Sequence, residues 1–124
     1  MVGARIVLFE DNPTLQVGIK MILEAEGHSV KATEATRARA LALLDDINRQ
    51  KLACEVIVSD GHLDGRRDGL VIIERARQLL LPQLVILCSS DQDLLRESPA
   101  DFNVLKEDMV GLCDIIAEYM PNAS

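Results

Sequence analysis

Four short apolar runs in this chain each end in residues equipped for chemistry. "IVLF" leads into Glu10 and Asp11, "VIVS" into Asp60, "VILC" into Ser89 and Ser90, and "NVL" into Lys106. Three carboxylates brought within a few ångströms of one another in a partly dehydrated cleft repel strongly, and either a proton or a cation relieves them. Oxygen donors without an imidazole or thiolate among them favour Mg²⁺, which keeps several waters and takes one or two carboxylates plus a phosphate oxygen. A carboxylate beside such an ion can attack phosphorus and form an aspartyl phosphate. A hydroxyl and an ammonium can then bind the remaining phosphoryl oxygens.

These groups act together only if the elements before them are neighbours, and the hydrophobic pattern supplies such elements. "ARIVLF" (4–9) reads as a buried strand. The helix after it starts at Pro13, places Leu15, Ile19, Ile22 and Leu23 at helical spacing and stops at Gly27. "HSVKA" (28–32) is a short second strand; Thr33 or Thr36 caps a helix through about Asn48 that buries Ala38, Leu41, Ala42 and either Leu44 or Leu43. "EVIVS" (55–59) is the third strand, followed by a helix over 68–80 with Leu70, Ile73 and either Ala76 or Ile72 inward. "LVILC" (84–88), entered through Pro82, and "FNVL" (102–105) are the fourth and fifth strands. The last helix, "EDMVGLCDIIAEYM", carries Glu107 and Asp108 at its positive end.

Such alternation calls for an α/β fold, a doubly wound five-stranded parallel sheet covered by helices on both faces with right-handed crossovers. Ligand sites in these folds lie past the carboxyl ends of the strands, where strand order reverses. That is where Glu10, Asp11, Asp60, Ser89 or Ser90, and Lys106 converge. The chain has 124 residues, enough for one domain with its own core, and that core must be aliphatic because only Phe9, Phe102 and Tyr119 are aromatic.

The composition also excludes functions. A formal charge of −7 with no basic tail removes the phosphate attraction behind most nucleic-acid binding. No apolar run approaches the roughly 18 residues of a membrane span, and the N-terminus lacks the layout of a cleavable signal. Cys54, Cys88 and Cys113 are odd in number and form no ligand pair, as expected of reduced thiols in a cytoplasmic protein.

Taken in order, "IVLFEDNP", "VIVSD", "DGL", "VILCSS" and "VLK" resemble the signature of response-regulator receiver domains of two-component systems. The resemblance runs nearly end to end. It implies a flavodoxin-like (βα)5 fold, with residues 1–124 as a single receiver domain and no effector domain. It further implies phosphorylation of Asp60 and Mg²⁺ held by Glu10, Asp11, Asp60 and the backbone carbonyl of His62. Ser89 becomes the hydroxyl that turns toward the phosphoryl group, with Ser90 the alternative, and Lys106 its counter-ion. The implied partners are a sensor histidine kinase or histidine phosphotransfer protein as donor and a downstream protein target. Neither DNA nor membrane is expected as a partner.

The chain departs from that pattern in ways that bear on output. Receivers usually carry proline after the switch lysine, whereas Glu107 stands here, so the bond should be trans; a cis bond would cost about 2.5 to 4 kcal/mol. Asn103 occupies the usual place of the switch aromatic, and Asp64 the place of a proline after the phosphoacceptor. Arg66 and Arg67 are expected to pair with Asp64 and Asp68. Only twelve residues, Ser90 to Asp101, separate the serine from the fifth strand, so "DQDLLRE" allows at most two turns of a fourth helix, anchored by Leu94 and Leu95.

Three functions fit these residues. The first is a phosphoacceptor that signals through protein contacts and is not a turnover enzyme. The second is a pseudo-receiver, an interaction module independent of phosphorylation. The third, a Mg²⁺-dependent phosphoester hydrolase, is disfavoured because no second acid follows Asp60 at the spacing of aspartate-nucleophile phosphatases.

Overall fold

A computed structural model describes residues 3–79 and 84–119. Strands β1 (Arg5–Phe9), β2 (Ser29–Glu34), β3 (Val56–Asp60), β4 (Leu84–Ser89) and β5 (Phe102–Leu105) alternate with helices α1 (Pro13–Ala25), α2 (Arg37–Gln50), α3 (Asp68–Leu79), α4 (Gln92–Glu97) and α5 (Met109–Tyr119). All pairings are parallel, in the order β2-β1-β3-β4-β5. The expected doubly wound sheet is the one observed. Its reversal lies between β1, which leads into Glu10, and β3, which ends at Asp60.

Side chains alternate across each strand, so the sheet supports two cores. Ile6, Leu8, Val56, Val58, Ile86 and Cys88 face α1 and α5, meeting Ile19, Leu23, Leu112 and Ile116. Val7, Phe9, Ile57, Val85 and Leu87 face the other way, onto Leu44, Ile47, Ile72, Ile73, Ala76 and Leu94. Fully burying each such side chain contributes roughly 1.5 to 3 kcal/mol. The strand ends are therefore held rigidly.

Several local expectations change. In α1 only Ile19 and Leu23 are buried, while Leu15 and Ile22 stay about two-fifths exposed at 41% and 40%. The sheet takes a narrow stripe spaced by four, and Ile22 borders a shallow groove against Met109 and Cys113 instead. In α2 the inward row is Ala40, Leu44 and Ile47, leaving Ala38 and Ala42 exposed. That row packs against the sheet and α3, and the helix is capped by Thr36 rather than Thr33: its hydroxyl accepts from Arg39 N–H. The helix runs past Asn48 to Gln50 and ends on Lys51 in the left-handed conformation. β2 extends to Glu34 because Thr33 and Glu34 pair with Leu8 and Phe9. Leu80 and Pro82 lie outside the described residues.

Helix α1 starts where Asn12 Oδ1 accepts from Thr14 and Leu15 N–H, with Pro13 in its first turn. It ends at Gly27, whose φ of 94° only glycine adopts readily. The fourth helix has six residues, inside the expected limit of two turns, with Leu94 fully buried and Leu95 half-buried. No cis peptide bond occurs among the described residues, so the Lys106–Glu107 bond is trans.

Candidate functional site

The chain leaves β1 and β3 side by side and delivers acids at both ends. Glu10 and Asp60 are almost wholly buried, 2% and 5% exposed, whereas Asp11 faces solvent. One oxygen from each of the three lies within 4.8 Å of the others. Lys106, just past β5, reaches across: its Nζ donates to Asp60 Oδ2 at 2.8 Å and lies 3.2 Å from Glu10 Oε1. Its backbone N–H is held by Ser89 carbonyl at 3.1 Å, so the β4–β5 ladder aims the ammonium.

Electrostatics follow from this crowding. Glu10 is pushed up to about 7, chiefly because burial disfavours its charge; the Asn12 N–H opposes that, and the Asp60 carboxylate adds to it. For Lys106, burial pulls downward, but the hydrogen bond and charge of Asp60 together with the charge of Glu10 outweigh it and raise the ammonium above its usual range. Lysine thus stays charged and offsets two buried acids. The donor set suits a hard divalent cation: clustered carboxylate oxygens, no nitrogen or sulfur among them, and one ligand open to water.

The two serines separate clearly. Ser89 ends β4 at 1% exposure, and its Oγ accepts from Asp91 N–H at 3.0 Å; Ser90 is exposed. Next to Asp60, a Cβ on Gly61 would sit 2.7 Å from Ser89 Oγ and 2.8 Å from Leu94 Cδ1, and one on Gly69 would strike the Asp60 carbonyl. Both glycines let the loop and α3 close over the acid. His62 N–H approaches Asp60 Oδ1 at 3.4 Å, whereas the imidazole points away to Asp91.

Other groups that shape the site carry no mark in the motifs of the sequence. Asn12 N–H donates to Glu10 Oε2 at 3.1 Å, and Gln16 Nε2 donates to the Glu10 carbonyl at 3.0 Å. Asp91 caps α4; an aspartate after two serines and before a short apolar helix is a cap signal that would have found it. The expected pairing of Arg66 and Arg67 with Asp64 and Asp68 is not formed. Arg37, at the start of α2, gives its N–H to Asp64 and lies 3.5 Å from Asp68 Oδ1, while Arg67 pairs with Glu97. The acids turn toward the positive end of α2, which competes better than loop arginines free to reach α4.

A parallel sheet in this order, with an acid pair after β1, an acid ending β3, a hydroxyl ending β4 and a lysine after β5, gives the chain the fold of response-regulator receiver domains. Solved structures carry the same arrangement of elements. The signal receiver domain of NarL from Mycobacterium tuberculosis superposes with a TM-score of 0.76 at 20% identity, covering 96% of this chain and 97% of that one. The PhyR response regulator receiver domain from Erythrobacter litoralis gives 0.71 at 20% identity, over 95% and 90% of the two chains. The response regulator PhyR from Brucella abortus gives 0.67 at 27% identity, covering 95% of this chain but 49% of that longer one. No family's sequence model matches the chain, and no curated protein matches it by sequence.

Proposed function

We propose that this receiver accepts a phosphoryl group on Asp60 from a phosphohistidine of a sensor kinase or phosphotransfer protein and passes on its state by protein contacts. The observation that carries this reading is the buried Asp60 carboxylate. One oxygen is held by Lys106 at 2.8 Å, the other meets only a 3.4 Å approach from His62 N–H, and two further acids stand beside it. In the transfer, Asp60 Oδ1 forms the new P–O bond as the donor's P–N bond breaks. The electron pair leaves with the imidazole, which takes up a proton. Lys106 and, once turned, Ser89 bind the phosphoryl oxygens.

Glu10, Asp11 and Asp60, with the His62 carbonyl, would hold Mg²⁺, whose chemistry here is to offset the charge gathered by the acids and the phosphoryl oxygens. The chain acts as a phosphoacceptor rather than a turnover enzyme. No helix among the described residues is long and apolar enough to cross a membrane, and the three cysteines are free, which supports work in the cytoplasm. The charge of −7 supports protein partners over DNA.

A mass spectrum after incubation with Mg²⁺ and acetyl phosphate or carbamoyl phosphate tests the reading. A labile gain of one phosphoryl group, absent in Asp60→Asn, is expected. No gain would favour a phosphorylation-independent interaction module, and a gain retained in Asp60→Asn would move the site elsewhere.

A further inference from the structure

The β3–α3 loop and helix α4 are joined at both ends of the helix by side chains that the phosphoacceptor chemistry does not use. At its start, His62 Nε2 lies 3.2 Å from Oδ2 of Asp91, whose other oxygen caps the helix. At its end, the Arg67 guanidinium pairs with Glu97. The imidazole also ties the loop to itself: its Nδ1 accepts from Arg67 N–H at 2.9 Å, which leaves the Nε2 proton for Asp91. Arg67 has a φ of 66°, a left-handed conformation that disfavours a side chain unless its surroundings hold it. Here both its backbone N–H and its guanidinium do so.

This arrangement meets the phosphorylation site at one atom. Asp91 N–H donates to Ser89 Oγ, so the residue that caps α4 and receives His62 also occupies the hydroxyl. Turning that hydroxyl toward Asp60 gives up the bond to Asp91 N–H and loosens the corner from which His62 and the cap hang. Asn103, where receivers usually place an aromatic, is exposed on an edge strand and offers no ring to carry the change.

We propose that His62 and Arg67 form a polar latch that holds α4 against the loop while Asp60 is unmodified, and that Ser89, on engaging a phosphoryl group, opens it. The inference rests on the phosphoacceptor reading of Asp60, but the latch itself can be read without any phosphoryl group.

Hydrogen exchange of the amides of 92–98 in the metal-free protein, across Arg67→Gln, Glu97→Gln and the double variant, reads the tie at the helix end. Each single change should speed exchange roughly threefold to fivefold, the double change should add little, and exchanging the charges (Arg67→Glu with Glu97→Arg) should restore protection. His62→Asn should speed the same amides. Additive or absent effects would overturn the latch. In a second arm, Mg²⁺ and beryllium fluoride are added to the wild type, with binding read from amide shifts at Asp60. Bound mimic with faster exchange at 92–98 supports opening; bound mimic with unchanged or slower exchange overturns it while leaving the receiver reading intact. Failure of the mimic to bind overturns both the opening step and the phosphoacceptor reading, and the variant series then reports on a static tie alone.

Discussion

Glu10→Gln should stabilise the metal-free protein at neutral and alkaline pH. Folding raises this carboxyl from its ordinary 4.5 to about 7, through burial first and the Asp60 carboxylate after the opposing Asn12 N–H. A group whose pKa is higher in the folded state binds more protons there, so its favourable contribution is complete below pH 4.5 and disappears as pH rises through 7. At about 1.4 kcal/mol per pH unit, keeping Glu10 ionised above pH 7 costs about 3 kcal/mol. Glutamine keeps the shape and an oxygen for Asn12 N–H and Lys106 but carries no charge. In thermal melts with EDTA at pH 8, Glu10→Gln should therefore melt roughly 10 °C above wild type, with the two converging near pH 4.5. Millimolar Mg²⁺ should narrow the gap by raising the wild type. Equal melting at pH 8, or a glutamine variant that melts lower, would refute the crowding argument and leave Lys106 as sufficient compensation for Glu10.

Asp11→Asn should weaken Mg²⁺ binding, followed by NMR as loss of the millimolar-range shifts at Glu10, Asp11 and Asp60, because the exposed acid is the ligand through which a hydrated ion enters. Lys106→Ala should slow labelling by small phosphodonors without abolishing it, as lysine offsets charge while Asp60 supplies the attacking oxygen; labelling rates by mass spectrometry decide. Gly61→Ala should destabilise by about 1 to 3 kcal/mol in denaturant melts, since its methyl would press on Ser89 Oγ at 2.7 Å and Leu94 Cδ1 at 2.8 Å. His28 Nδ1 accepts from Ala4 N–H at 3.0 Å, and burial lowers its pKa. The contribution of His28 should thus be constant above pH 6.5 and be lost as acid protonates the ring, so in pH-dependent melts the difference between wild type and His28→Gln should shift against the wild type below pH 6.5.

The architecture and the members of the acidic site are legible in the order of residues alone. Strand and helix periods differ, apolar runs ended in acids, and a parallel sheet of this length puts strand ends on one side, so Glu10, Asp60, Ser89 and Lys106 converge whatever the details of packing. The shortness of α4 is legible too, because the twelve residues between Ser89 and β5 leave room for at most two turns. Which rows of α1 and α2 turn inward is not legible there and follows from packing in the folded chain. Their apolar residues spread over more than half of each helix, and packing of α2 against the sheet and α3 is what selects Ala40 over Ala42. The arginine pairings follow from the folded chain for a similar reason. Several acids lie within reach of Arg67 along the chain, and the one it meets, Glu97, is thirty residues away and brought near by the crossing of α4 over the loop. Short-range patterns determine elements and their order; pairings between exposed groups on different loops depend on distances that exist only once the sheet has formed.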